Sequence, residues 1–412
     1  MRSYSAIVDP IRNPYAPGAG QRPPELAGRG RHLQRFDVTL ERVALGRPER
    51  SMVLSGLRGV GKTVLLNALR SRAVNRAWGT GKIEARPEQS VRLPIAQAVH
   101  AAIREVAHRH RDPERVDELA AVVKAFALRT QLPDRKGIRW QPPTDVVAAK
   151  GRADSGDLEL DLIELFGDVA SIAADLSVGL ALFVDEMQDI APSELSALCG
   201  ACHEISQAGA PLILVGAGLP HLPVALSASK SYAERLFHYV VIDRLERSDA
   251  DQALTVPAAT EDVDYEPDAL DELHRMTDGY PYFVQAYGKT VWDVAPRSPI
   301  RVIDVKEAAP EAEDELAVGF FGARYERATP AEREYMRAIA DLGADARDDT
   351  VATADVANLL GRRPQSLSPA RDGLIKKGLV FSSERGSVAF TVPHFGAYLR
   401  GQRSEASSAP MP

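Results

Sequence analysis

The sequence has little cysteine: Cys199 and Cys202 are the only two in 412 residues, too few for a disulfide framework. It has no apolar run that reaches the ~18 residues of a membrane span. The N-terminal stretch MRSYSAIVDPIRNPYAPGAG carries no apolar segment behind its arginine, so no signal peptide is expected. It also has no excess of positive charge. Fifty Lys and Arg face 57 Asp and Glu, a net charge of -7, which argues against a globally basic nucleic-acid binder but leaves room for a local basic face. No internal repeat is visible. What remains is an ordinary globular balance, 45% hydrophobic and 26% charged, which excludes wholly disordered and collagen-like chains. At about 150 residues per domain the length suits two or three domains. A soluble, cytoplasmic, multi-domain protein without a membrane partner is expected.

Residues 1–30 are rich in Pro, Gly and Arg and read as an extended arm. Leu33, Phe36, Leu40 and Val43 then fall at helical spacing. Ser51–Ser55 is a short apolar strand that runs into GLRGVGKT and a strongly helical VLLNALRSRAVNRAW. A strand is expected near 82–86, two helices over 92–130 with a break at Arg111–Asp112–Pro113, and a mobile Pro- and Gly-rich loop over 131–156. The runs LALFV (180–184) and LILV (212–215) have the length and continuity of strands buried on both faces of a parallel sheet. Strands and helices alternate through residue 245. The chain then turns helical, with helices near 248–257, 267–276, 281–295 and 304–325. Helices at 352–360 and 364–377 precede β-like segments at 379–381 and 387–392, the order of a winged helix-turn-helix.

Gly56–Thr63 satisfies every fixed position of G-x-x-x-x-G-K-[ST], between a strand and a helix. Glycines at 56, 59 and 61 let backbone N–H groups turn inward on a polyanion, and the new helix points its positive end at the same phosphates. Lys62 brings a point charge to the β- and γ-phosphates, and Thr63 offers a hydroxyl to Mg²⁺. The nucleotide-binding candidates are Gly56, Leu57, Arg58, Gly59, Val60, Gly61, Lys62, Thr63 and Val64. Asp185 and Glu186 close the LALFV strand, where a carboxylate faces the ligand crevice. Asp185 suits a Mg²⁺ ligand acting through its water shell; Glu186 suits the general base on the attacking water.

With these motifs the chain resembles the AAA+ and STAND P-loop ATPases, closest to the origin-recognition-like branch with a C-terminal winged helix. The resemblance spans roughly residues 25–400. GLRGVGKTVLL and LALFVDEMQD carry most of it. LAGRGRHL (26–33) resembles the segment that lines the adenine pocket, with Gly30 and His32 where the family usually has acids. SYAERLF (231–237) resembles the arginine-finger segment, which implies Arg235 as a catalytic group donated to a neighbouring subunit. Gly279–Tyr280–Pro281 resembles the G-x-P element of the lid, implying Pro281 as an adenine contact. The implied fold is an α/β P-loop NTPase domain, a parallel sheet with helices on both faces, followed by a helical lid and a C-terminal winged helix. The implied boundaries are 1–30 for the arm, 31–245 for the ATPase domain, 246–327 for the lid, 328–400 for the winged helix and 401–412 for a disordered tail. The family's sensor strand usually ends in Asn, Ser or Thr, whereas LILVGAGL ends in Gly216, Ala217 and Gly218, so the sensor is unassigned.

The resemblance implies a switch that binds and hydrolyses Mg²⁺-ATP and couples nucleotide state to the winged helix. Two alternatives stay open: an ATP-gated DNA-binding regulator or loader with little hydrolysis, and a STAND-type signalling scaffold that contacts protein. Homo-oligomers are compatible with all three. Residues 361–385 hold six basic and two acidic groups, a local +4 that could meet duplex DNA. Cys199–Gly200–Ala201–Cys202–His203 spells a haem or redox string, but Cys202 shares a helical face with Leu195, Leu198 and Ile205 and reads as core.

Overall fold

The computed structural model describes residues 7–18, 20–110, 113–129, 146–175, 178–344, 350–382 and 386–408. They form two compact units, one of Arg29–Gly56 with Lys62–Ile242, the other of Met1–Gly28, Leu57–Gly61 and Asp243–Pro412.

The first unit is a parallel α/β layer. After helix α1 (Gly30–Ala44) come β1 (Ser51–Ser55), α2 (Lys62–Asn75), β2 (Gly79–Glu84), α3 (Arg92–His110), α4 (Pro113–Leu128), α5 (Leu158–Asp175), β3 (Leu180–Asp185), α6 (Pro192–Gln207), β4 (Leu212–Gly218), α7 (Leu222–Ser229), α8 (Ala233–Leu236) and β5 (Phe237–Val241). The five strands pair in the order β2-β3-β4-β1-β5, all parallel. Every residue of β3 and β4 is buried, as continuous apolar runs in a doubly covered sheet should be. This order puts β4 between the strand that enters the phosphate loop and the strand that ends in Asp185.

Strand β2 begins at Gly79, earlier than the sequence suggests. Gly79 and Gly81 fall outside the expected strand, and helix α3 lies directly on them. A methyl at Gly79 would stand 2.7 Å from the Ala102 carbonyl oxygen, and one at Gly81 2.5 Å from that of Ala98. Backbone-to-backbone approach is what selects glycine inside this strand.

Of the loop expected to be mobile, residues 131–145 lie outside the described residues, and 146–156 are pinned rather than loose. Ala149 N–H donates to Ala121 O (3.0 Å) and Lys124 Nζ to Val146 O (2.9 Å). Asp161 accepts from Ser155 N–H (2.8 Å), Ser155 Oγ (2.6 Å) and Gly156 N–H (3.2 Å). It also pairs with Arg92 at 2.7 Å, both groups being buried. The Arg92 guanidinium covers the Phe126 ring at 4.5 Å and donates to Phe126 O at 3.3 Å.

In the second unit, the arm expected to be extended is docked. Trp292 Nε1 donates to Asp9 O (2.8 Å), Asn13 Nδ2 to Lys289 O (2.9 Å), and Tyr15 Oη meets Leu254 O and Tyr265 Oη at 2.7 Å each. The arm thus lies along α9 (Arg247–Ala259) and α11 (Pro281–Val294), with α10 (Pro267–Thr277) and α12 (Val302–Glu315) completing the helical group. A π-helical segment, Leu316–Gly322, interrupts the expected continuous helix and leads into α13 (Ala323–Glu326).

The remainder reads α14 (Pro330–Leu342), β6 (Val351–Ala352), α15 (Thr353–Leu359), α16 (Pro364–Lys376), β7 (Val380–Phe381), β8 (Ser387–Phe390) and α17 (Phe395–Ser408), with an antiparallel sheet ordered β6-β8-β7. Phe283 and Phe320 (5.6 Å), Phe321 and Phe395 (5.7 Å), and Phe390 and Phe395 (5.2 Å) pack these elements onto the helical group. The expected disordered tail is corrected for residues 401–408, which continue α17; residues 409–412 lie outside the described residues. The helix is already started by the buried Phe395 and Leu399, so extension adds one hydrogen bond per residue without a new nucleus.

Candidate nucleotide site

In the α/β unit, β1 delivers Gly56, whose N–H donates to Gly218 O at 3.2 Å. Helix α2 then opens at Lys62, which is buried; Thr63 and Val64 follow in its first turn, both half-buried. The Thr63 hydroxyl is hydrogen-bonded to the Asp185 carboxylate. Asp185 is only 5% exposed. Burial pushes its carboxyl above the ordinary value, while the bonds from Thr63 and the Glu186 N–H (3.0 Å) pull the other way. The Glu186 charge raises it further, and Lys82 opposes. Lys82 is held by Asn67 Oδ1 at 2.7 Å.

The pairing of Thr63 with Asp185 is a donor set suited to a hard cation, since both present oxygen. Among the described residues no three His, Cys, Asp or Glu side chains gather into a metal site. A Mg²⁺ held here would therefore complete its shell with nucleotide oxygens and water.

Glu186 has φ of +50°, a left-handed backbone that turns the chain sharply out of β3. A 3-10 turn, Met187–Asp189, follows. Gln188 Nε2 donates to Glu186 Oε2 at 2.6 Å, and Gln188 Oε1 accepts from Leu219 N–H at 3.0 Å. This bridge was not visible in the sequence; the string DEMQD held it without a spacing signal. Arg235, in the short helix α8, is exposed.

In the second unit the crest of the phosphate loop, Leu57–Gly61, clusters with the C-terminal elements. Gly59 (φ +85°) and Gly61 (φ +91°) supply the expected left-handed angles, whereas Gly56 does not need one. Arg58 N–H donates to Thr391 O and Arg58 Nε to Gly378 O, each at 3.2 Å. Thr391 Oγ1 in turn donates to Gly378 O at 2.7 Å. Val60 is buried and Leu57 half-buried.

Tyr280 lies over Gly59: a methyl there would stand 2.9 Å from the tyrosine Cε1. The Tyr280 hydroxyl is buried without a hydrogen-bond partner, and burial drives its phenol well above the ordinary value. Pro281 takes the first position of α11 after Gly279, whose φ of +66° and contact with Leu245 O (2.3 Å from a built methyl) admit only glycine.

The structure places both cysteines in the core. Both thiols are buried in α6 and free. Burial pushes Cys199 up to about 11 and Cys202 well above its ordinary value, which keeps both protonated.

The +4 of residues 361–385 is also smaller in the folded chain than in the sequence. Glu334 pairs with Arg362 (3.1 Å) and Glu332 with Lys377 (2.5 Å), both acids coming from α14, outside the segment. Arg371 pairs with its neighbour Asp372 (3.0 Å). Arg385 lies outside the described residues.

The parallel sheet, the glycine-turned loop and the Thr63–Asp185 pair define a P-loop nucleotide-binding fold. Residues 25–215 match the AAA ATPase domain family. Residues 318–399 match a domain of unknown function, DUF8462. A Walker-type ATPase of Pyrococcus abyssi shares the fold, with a TM-score of 0.59 at 16% identity over 92% of this chain and 97% of that one. Orc1 of Aeropyrum pernix, solved with DNA, has a TM-score of 0.43 at 15% identity over 93% and 95% of the two chains. The RuvB Holliday junction branch migration motor of Thermotoga maritima has 0.43 at 17% over 96% and 100%. No protein of curated function matches the chain. No helix among the described residues is long and apolar enough to cross a membrane.

Proposed function

We propose that the protein is a Mg²⁺-dependent ATPase switch whose phosphate loop is read directly by its C-terminal elements, taken as a winged helix. Residues 56–64 bind the nucleotide phosphates, Thr63 and Asp185 hold the metal, and Glu186 takes the proton from the attacking water. Water oxygen bonds to the γ-phosphorus, the bond to the bridging oxygen breaks, and ADP and phosphate leave. Pro281 is the adenine contact, and exposed Arg235 is available to a neighbouring copy in a homo-oligomer.

The observation that carries the coupling is Arg58. It sits inside the phosphate loop, yet its backbone and side chain both donate to carbonyls of the C-terminal segment. Phosphates drawing the loop N–H groups inward would compete with the bond to Thr391. ATP is therefore expected to change amide hydrogen exchange over residues 378–391. Arg58→Ala keeps the backbone bond to Thr391 and removes the side-chain bond to Gly378, worth about 0.5–1.5 kcal/mol, so it should weaken that response around Gly378 and change ATP affinity by no more than about tenfold. An undiminished response in the variant would refute Arg58 as the link. Phosphate release measured with and without duplex DNA separates the remaining outputs. Stimulation by DNA points to a DNA-coupled ATPase, and its absence points to a protein partner; the paired state of Arg362, Arg371 and Lys377 favours the latter.

A further inference from the structure

We infer that Gln188 is the positioning residue for Glu186 and stands in for the polar side chain that β4 lacks. The inference rests on the proposed role of Glu186.

Three observations converge on it. First, the turn after Glu186 fills the face of β4 where a sensor side chain would project. A methyl on Gly216 would lie 2.4 Å from Met187 Sδ, and one on Gly218 would lie 2.8 Å from Gln188 Oε1 and 2.6 Å from Leu222 Cδ2. A side chain at either position would have to displace the ends of Met187, Gln188 or Leu222 from where they now rest. The apolar, glycine-marked end of β4 is thus the partner of the turn.

Second, the amide of Gln188 can point only one way. The Leu219 N–H is a donor, so the group facing it must be the carboxamide oxygen. The NH₂ is thereby left for the Glu186 carboxylate, which accepts at 2.6 Å. Flipping the amide would set donor against donor at one end and acceptor against acceptor at the other. Orientation is fixed by the backbone N–H of buried Leu219, the residue that follows β4, not by a mobile side chain.

Third, Glu186 needs such a hold. Its backbone is left-handed and its side chain half-buried, so the strand alone does not aim the carboxylate. A base displaced by about 1 Å loses on the order of 10²-fold in rate, so a tether to a rigid strand matters. Gln188 does not touch the reacting atoms in this scheme; it acts through Glu186.

The test is steady-state ATP turnover and binding of a non-hydrolysable ATP analogue, for Gln188→Leu, Gln188→Glu, Glu186→Gln and Gln188→Leu combined with Glu186→Gln. Gln188→Leu removes both bonds at similar volume. Gln188→Glu keeps an oxygen for Leu219 and the side chain's volume but sets a second carboxylate against Glu186 in place of the donor, so a packing role would survive it while the hold on Glu186 would not. Both single Gln188 variants should lose about 10- to 100-fold in kcat, with KM and analogue affinity within about threefold of wild type. In the Glu186→Gln background, Gln188→Leu should change the residual rate by less than about twofold, because residues acting as a unit are not additive. Unchanged kcat in Gln188→Glu overturns the inference. So does a loss that multiplies in the double variant, which would mean a role independent of Glu186. If Glu186→Gln itself turns over like wild type, the role of Glu186 has failed; if it is inactive while Gln188→Glu is active, only the inference about Gln188 has failed.

Discussion

Glu186→Gln is expected to lower ATP turnover about 10²–10⁴-fold, the range for losing a general base, while nucleotide binding survives. The carboxylate follows β3 beyond the Thr63–Asp185 pair, and the amide is isosteric, so the phosphate loop is untouched. Lys62→Ala is the contrasting variant. Lys62 is buried at the start of α2, and removing its charge from beside a polyphosphate should weaken ATP binding by about 2–5 kcal/mol, the cost of truncating a buried charge pair. Phosphate release and equilibrium binding measured side by side separate the two. Near-wild-type turnover in Glu186→Gln would remove that residue from its role, and retained tight binding in Lys62→Ala would sink the phosphate-loop assignment.

The largest expected effect on stability lies away from the nucleotide. Arg92→Ala should destabilise the α/β unit by about 3–5 kcal/mol, because it leaves the buried Asp161 carboxylate without its counter-charge. The guanidinium also stacks on Phe126 and satisfies Phe126 O, so packing is lost with the charge. Burial opposes ionisation of Asp161, yet the Ser155 and Arg92 hydrogen bonds hold its carboxyl below the ordinary value. A lowered folded value means stability that is fully present above the unfolded carboxyl value and is lost as pH falls through the folded one. The gap between wild type and Arg92→Ala in denaturant midpoint should therefore be full at neutral pH and narrow in acid. A midpoint unchanged at neutral pH would show that the ion pair does not hold residues 153–156 to α3 and α5.

The sequence alone determined the parallel strands, since LALFV and LILV are unbroken apolar runs that only a doubly covered sheet can bury. It determined the phosphate loop and the two acids at the end of β3, because a polyanion and its metal demand those residue types at short, local spacing. It also marked the helical character of residues 246–327 and the helix–helix–hairpin order near the C-terminus. What it hid was non-local. Gly79 and Gly81 fell outside the strand expected near 82–86 because the reason for them is the backbone of α3, more than 15 residues away in the chain. The arm read as extended because its partners, Trp292, Leu254 and Tyr265, lie at the other end of the sequence. The basic segment read as +4 because its neutralising acids sit on α14. Most tellingly, the glycines ending β4 looked like a missing sensor. Only tertiary structure could show Met187 and Gln188 filling that face, because a glycine's role is set by what approaches it, and composition records no approach.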